Sequence, residues 1–408
     1  MPDSLLPRRG FSGATIVLGV TGGIAAYKAA DLTSKLVQAG ADVHVVMTDA
    51  ATRFVQPLTF EALTHQPVFT DVFAGWSDGG RGHVSLAATA DLLLIAPATA
   101  DIIARLAAGF VDDMLTAVAL ATSAPIAIAP AMEHHMWHHP ATQANLATLR
   151  ARGVIVIEPE RGYLASGASG DGRLAATDRV LAQARAVLGA GGPLAGRRIV
   201  ITAGGTREAL DPVRYLGNGS TGTMGLALVD AAIDCGAQVT LIAGPTVGAI
   251  ASAAEVIRIE SAQEMADAVW RETTSADVLI MAAAVADFRP KVQSEQKIKK
   301  QPGQDDLTLD LVRNPDIIAE TQVPGLLKVG FAAETEHLEQ YARAKLDAKG
   351  LAMIVANDAA RTIGSADSEA TLIFAERPAR SLPSMAKGEL AGVILDEIVA
   401  LLRTEVAS

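Results

Sequence analysis

The chain has 408 residues, half of them hydrophobic but only 4% aromatic, and carries a formal net charge of −11. That length holds about two or three domains, and the acidic balance excludes a general nucleic-acid binder, which needs a basic face. The single cysteine, Cys235, excludes a disulfide framework and a thiolate metal cluster.

The composition, rich in Ala, Val, Ile and Gly, suits parallel sheets covered by helices. Thr15–Val20 reads as a short apolar strand, followed by Thr21-Gly22-Gly23 and a helical pattern from Ile24 to Ala39. After Gly40 comes the strand Asp42–Met47. A Gly-rich strand-to-helix turn can bring backbone N–H groups against a phosphate, although this one does not match the G-x-G-x-x-G dinucleotide fingerprint. His83 lies just beyond Gly79, Gly80 and Gly82, ahead of a third strand, Ala90–Ala96, and a helix through Ala108. The uncharged run Met114–Met132 is about long enough to cross a bilayer, but Pro125 and Pro130 divide it into a helix and a strand. No membrane partner and no secretory signal are expected, so the protein is read as cytoplasmic.

The strand Ala124–Ala129 leads into Pro130-Ala-Met-Glu-His-His-Met-Trp137, at the strand end where open α/β sheets bind ligands. His134, His135, His138 and His139 fall within six residues and form two i,i+4 pairs. No separate His or Cys cluster completes a tetrahedral set, so a metal site is set aside. After Ile155–Ile157, the small residues of Tyr163–Gly172 are those of a mobile lid loop.

Leu188–Gly196, punctuated by Gly and Pro, divides the chain into 1–190 and 191–408. The pattern then restarts with the strand Arg198–Thr202, the turn Ala203–Thr206 and a long loop to Asn218–Gly225. A helix to about Asp234 and the strand Gln238–Ala243 follow. Ala276–Met281 ends in Ala282–Asp287, echoing the strand that ends at Asp101, so two successive doubly wound α/β units are expected. Lys297–Lys300 lies in a polar segment before an expected strand, Leu307–Val312. Lys345 and Lys349 share one helix face, backed by the strand Met353–Asn357. Each lysine set reads equally as a solvated face or as an anion-binding group.

The ordered motifs Gly19–Lys28 (GVTGGIAAYK), Ala96–Asp101 (APATAD), Pro130–Trp137 (PAMEHHMW) and Leu164–Arg173 (LASGASGDGR) resemble the flavin-dependent cysteine decarboxylases. The second half, with ITAGGTREALDPVRYLGN, NGSTGTMG, AAAVADF, KIKK, GFAAET and ANDA, is similar to phosphopantothenate–cysteine ligases. Together they cover about Thr15 to Phe374 and resemble the bifunctional enzymes of coenzyme A biosynthesis.

The resemblance implies a flavodoxin-like N-terminal domain that binds FMN, with Gly22, Gly23, Thr48 and Thr99 near its phosphate or ring. It implies that 4'-phosphopantothenoylcysteine is oxidised at its thiol and loses CO2, with His83 as base or proton-positioning group. Glu133 and Met136 would bind substrate beneath the lid. Two positions depart from the family pattern: Glu133 replaces an Asn, and Ser166 replaces the Cys that serves as acid in the lid. The pair reads as a variant that keeps the reaction; the alternative is a flavin domain with impaired decarboxylation and a regulatory or scaffold role. For the Rossmann-like second domain the resemblance implies CTP and Mg2+, an acyl-cytidylate of 4'-phosphopantothenate, and displacement of CMP by cysteine. Asn218 would bind the acyl intermediate, and Asp287, Lys297, Phe331, Lys345 and Lys349 would surround CTP. Thr223 stands where a Lys is common. A homo-oligomer is also implied.

Overall fold

The structure is a computed structural model that describes residues 10–73, 82–248, 250, 252–299, 306–334, 338–358 and 367–407. They form two compact units, Met1–Gly189 and Ala190–Ser408.

The first unit is built on β1 (Thr15–Val20), β2 (Asp42–Met47), β3 (Leu92–Ala98), β4 (Ile126–Pro130) and β5 (Ile155–Val156). They form one parallel sheet in the order β2-β1-β3-β4-β5, the flavodoxin-like doubly wound order. Alternate residues of each strand feed opposite cores. Ile16, Leu18, Leu92 and Leu94 pack with Leu32 and Leu36 of the helix Tyr27–Gln38. Val17, Leu93, Ile95 and Ile128 pack with Ile102, Ile103 and Leu115 on the other face. Burial on both faces explains why β1, β3 and β4 are nearly unbroken apolar runs, and each fully buried Leu or Ile contributes about 1.5–3 kcal/mol. The run Met114–Met132 becomes the helix Met114–Ala121 and then β4. No described helix is long and apolar enough to cross a membrane.

The expected lid loop is instead an antiparallel hairpin, β6 (Glu160–Tyr163) with β7 (Ser169–Arg173). Its sequence lacks the β-branched residues that mark strands. What forms it is close packing that only glycine permits. A Cβ on Gly172, whose φ is +116°, would overlap the Met132 carbonyl, and one on Gly170 would sit 2.9 Å from His134.

The second unit contains β8 (Arg198–Ala203), β9 (Arg207–Ala209), β10 (Tyr215–Gly217), β11 (Gln238–Ala243), β12 (Glu255–Arg258), β13 (Val278–Met281), β14 (Phe288–Pro290), β15 (Leu311–Arg313), β16 (Leu327–Glu334), β17 (Met353–Asp358), β18 (Asp367–Phe374) and β19 (Arg380–Ala386). The main sheet runs β12-β11-β8-β13-β16-β17-β18-β19. Its first six strands are parallel, in the Rossmann order, and the last two are antiparallel. The strand expected at Leu307–Val312 is shorter and later, at Leu311–Arg313, because it pairs only where Phe288–Pro290 lies opposite. The long loop after Thr206 contains the hairpin β9–β10, over which Arg207 stacks on the Tyr215 ring at 4.5 Å. Beyond Phe374 lie β19 and the helix Lys387–Ala407, to which sequence reasoning assigned no element. Cys235 closes the helix Thr223–Asp234 and is 5% exposed. Its carbonyl accepts from the Leu194 N–H at 2.8 Å.

Candidate active sites

Strand order fixes where each sheet can hold a ligand. In the first unit it reverses between β1 and β3, and crevices open at the carboxyl ends of strands at such points. Gly22 and Gly23 follow β1 directly, Thr48 follows β2 and Thr99 follows β3, so the fold brings these four positions to one sheet edge. A Cβ on Gly22 would overlap Ala50, which makes this a turn that only glycine fits. Thr48 and Thr99 are helix N-caps, their hydroxyls accepting from Ala51 N–H and Ile102 N–H, each at 3.3 Å. Each cap contributes about 1 kcal/mol. Sequence reasoning missed Thr21, which is 1% exposed. Its hydroxyl donates to the Pro97 carbonyl at 2.7 Å and accepts from the Thr99 N–H at 3.1 Å, tying the ends of β1 and β3 together.

His83 opens the helix His83–Thr89, and its Nδ1 is buried with no hydrogen-bond partner among the described residues. Gly79 and Gly80, part of its expected glycine-rich approach, lie outside those residues. A buried nitrogen without a partner is costly unless a ligand satisfies it. That nitrogen, together with the glycine turn, fits a polar, phosphate-bearing cofactor. Lys28, on the helix after the turn, has its amine pKa lowered by burial and then by the Arg173 guanidinium, while Glu160 opposes the shift.

After β4, Glu133 caps the short helix His134–Trp137, its carboxylate accepting from the His135 N–H at 2.6 Å. That helix buries Trp137 and leaves Met136 49% exposed. The hairpin lies against the same segment: Met132 N–H donates to the Gly172 carbonyl at 2.9 Å, and Asp171 N–H to His134 Nδ1 at 3.2 Å. Ser166 sits on the exposed turn of that hairpin, closed by Leu164 N–H donating to Ala168 O at 2.8 Å. The two departures thus fall on two segments that pack together. Asp171, from a hairpin more than thirty residues away, lies beside the histidine cluster, its carboxylate 2.9 Å from His138 Nε2.

In the second unit, a cavity of about 220 Å³ opens beside the carboxyl end of β13 and the middle of β16. Asp287, Phe331, Lys345 and Lys349 all line it. Lys349 Nζ is 3.0 Å from Asp316, which also lines the cavity. Asn314, 7% exposed, shapes the wall: its amide donates to Ala286 O at 2.7 Å, and Arg289 donates to its Oδ1 at 2.9 Å. Asn314 and Asp316 were missed, although Asn-Pro-Asp ahead of Ile317–Glu320 is a helix-start signal and Asp316 is the cap.

Asn218 and Lys297 do not line the cavity. Asn218 is tied to the loop that does, donating to Ala284 O at 3.1 Å and Val285 O at 3.3 Å. Lys297 is exposed beside Ile298, which Asp211 and Arg214 hold. Lys300, the last residue of the expected lysine flap, lies outside the described residues, as do Thr335 and Ala359 of the GFAAET and ANDA motifs. The Asp211 carboxyl is held well below the usual carboxylate range, first by Arg214, then by N–H donors from Val213, Ile298 and Arg214.

The comparisons divide the chain in the same two parts. Residues 7–189 match the flavoprotein family, and residues 194–402 match the C-terminal domain of the DNA/pantothenate metabolism flavoproteins. The chain is 47% identical over 394 residues to the coenzyme A biosynthesis bifunctional protein CoaBC of Bacillus subtilis, covering 95% of this chain and 97% of that one. To the protein of the same name from Vibrio cholerae it is 47% identical, with 94% and 97% covered. To that of Mycobacterium tuberculosis it is 44% identical, with 95% and 96% covered. With a flavodoxin-ordered sheet, a Rossmann-ordered sheet and this near full-length similarity, the chain belongs to the family of coenzyme A biosynthesis bifunctional proteins, CoaBC.

Proposed function

We propose that the chain makes 4'-phosphopantetheine from 4'-phosphopantothenate, cysteine and CTP in two steps, one in each domain. It is a bifunctional enzyme of coenzyme A biosynthesis, a ligase and a decarboxylase in one polypeptide. The observation that carries the reading of the ligase is the cavity whose wall combines Lys345, Lys349, Asp287 and Phe331.

In the ligase domain, the carboxylate of 4'-phosphopantothenate attacks the α-phosphorus of CTP, giving an acyl-cytidylate and pyrophosphate. The amine of cysteine then displaces CMP. Lys345 and Lys349 neutralise the triphosphate and Asp287 and Phe331 hold the nucleotide; a bound Mg2+ would absorb developing charge. Lys297 approaches from the flap held by Asp211 and Arg214. Asn218, tied to the Ala284–Val285 backbone, holds the acyl intermediate.

In the flavin domain, Gly22, Gly23, Thr48 and Thr99 bind FMN through backbone N–H groups and hydroxyls. Bound FMN would supply the two-electron oxidation of the substrate thiol that makes loss of CO2 facile and, once reduced, would return both electrons to the decarboxylated intermediate to give the product thiol. His83 accepts or positions the proton that leaves the substrate. Glu133 and Met136 contact the substrate, and the β6–β7 hairpin excludes water and brings Ser166 over it.

The net charge of −11 supports small-molecule substrates over nucleic acid, and we place the enzyme in the cytoplasm. Ile24 and Tyr27, beside the glycine turn, are 61% and 62% exposed. Such apolar exposure next to a site supports a homo-oligomer; a 42.2 kDa monomer in sedimentation would overturn that part.

The deciding experiment supplies the purified chain with 4'-phosphopantothenate, cysteine, CTP and Mg2+ and follows products by mass spectrometry. 4'-Phosphopantetheine is expected. Accumulation of 4'-phosphopantothenoylcysteine would overturn the reading of the flavin domain, and no product at all the reading of the ligase domain.

A further inference from the structure

We infer that His134, His138 and Asp171 form a binding site for a divalent transition metal, Zn2+ in the first instance, that fastens the β6–β7 hairpin to the helix His134–Trp137. One donor atom from each residue lies within 4.8 Å of the other two. His138 Nε2 is 2.9 Å, and His134 Nδ1 3.9 Å, from the Asp171 carboxylate. Zinc holds nitrogen and oxygen donors at about 2.0–2.2 Å, so neighbouring donors of a tetrahedral site stand roughly 3.3 Å apart. The two separations from the carboxylate bracket that value, and side-chain adjustments draw the three donors, all within 4.8 Å of one another, onto one ion. The two imidazole rings stand 4.5 Å apart and 66° from coplanar, edge to face rather than stacked.

The donor chemistry is selective. Two imidazoles and one carboxylate suit Zn2+ and its neighbours better than the all-oxygen preference of Mg2+ or Ca2+. His134 Nδ1 accepts the Asp171 N–H at 3.2 Å, so that nitrogen is already the unprotonated one a metal needs. Coordination replaces this single hydrogen bond. The three side chains are 38%, 52% and 41% exposed, which leaves a route for entry and an open position for water. Arg161, opposite Asp171 in the hairpin, is the competing positive charge.

Two ligands come from the segment carrying Glu133 and one from the hairpin, so an ion here joins the two across a seam otherwise held by a few hydrogen bonds. The ligand set stands whether or not the flavin domain decarboxylates.

The test titrates Zn2+ alone into the metal-stripped full-length chain by calorimetry, and repeats it on H138Q, D171N and H135A, with thermal melts confirming that each variant is folded. One Zn2+ per chain is expected for the parent and for H135A, and at least a tenfold weaker affinity for H138Q and D171N. Hydrogen exchange in residues 160–173 should slow on Zn2+ addition in the parent and not in D171N. Absence of one-to-one binding in the parent, undiminished affinity in H138Q and D171N, or loss of affinity in H135A would each overturn the assignment.

Discussion

Asp211 and Arg214 close on one another at 2.6 Å, and between them they hold both backbone polar groups of Ile298. The Ile298 N–H donates to Asp211 at 3.1 Å, and its carbonyl accepts from Arg214 at 2.9 Å. Lys297 is therefore placed by its neighbour's backbone. Asp211→Asn keeps the shape but loses the charge that orients Arg214. Ligase turnover should fall by up to about 100-fold, the scale of a misplacement near 1 Å, while decarboxylation of supplied 4'-phosphopantothenoylcysteine stays unchanged. Equal loss of both activities would show general unfolding instead.

The same carboxylate sets a pH limit. Its folded-state pKa is depressed, chiefly by Arg214, so the stability it lends is fully present above its unfolded pKa of about 3.9 and is lost as pH falls towards the folded value. The melting difference between parent and D211N should hold constant from pH 7 to about 4 and shrink only below that. A difference that vanished between pH 7 and 5 would contradict this ion pair.

Lys349 is bound to Asp316 at the cavity wall. Lys349→Met should raise the KM for CTP about tenfold or more, the value of one charge-assisted hydrogen bond, with kcat less affected. Initial rates against CTP, at saturating 4'-phosphopantothenate and cysteine, decide it. An unchanged KM would remove Lys349 from the nucleotide site.

Glu133 is a helix cap as well as a proposed substrate contact. Glu133→Asn preserves capping, since Asn is an equally good N-cap, whereas Glu133→Ala loses about 1 kcal/mol. Melts should therefore separate Ala from Asn. Decarboxylase rates should show E133N at least as active as the parent, because the carboxylate no longer opposes that of the substrate.

Gly172→Ala should detach the hairpin, because φ of +116° and the Met132 carbonyl both exclude a Cβ. The cost should exceed about 1 kcal/mol in local stability, read as faster hydrogen exchange across residues 160–173. Decarboxylation should drop, with flavin absorbance retained.

Most of the fold was legible because the parallel strands are buried on both faces. Runs such as Leu92–Ala98 have no polar side to blur the period, and glycine turns mark their ends. The hairpins were not legible. Gly170 and Gly172 spell a loop until the surface they pack against is known, and that surface is more than thirty residues away in sequence. The sites divide in the same way. Gly22, Gly23, Lys345 and Lys349 sit at a strand end or on one helix face, where local pattern marks them, whereas Thr48 and Thr99 were reached only through the family resemblance. Asp171 and Asn314 matter only through partners brought near by folding. Asp211 and Arg214 were the exception, since an i,i+3 acid–base pair around Pro212 is a local signal that was available.

The burial of Cys235 bears on the chemistry of thiols. Cysteine enters the proposed pathway as a free thiol and leaves within a product that ends in one, so the enzyme handles reactive sulfur at both steps. Its own single sulfur is sealed at the end of a helix, 5% exposed, and the β6–β7 hairpin turn carries Ser166. Thiol–disulfide exchange requires an accessible thiolate. The folded chain therefore offers substrate and product no partner for a mixed disulfide, and it passes sulfur through without risk of being captured by it.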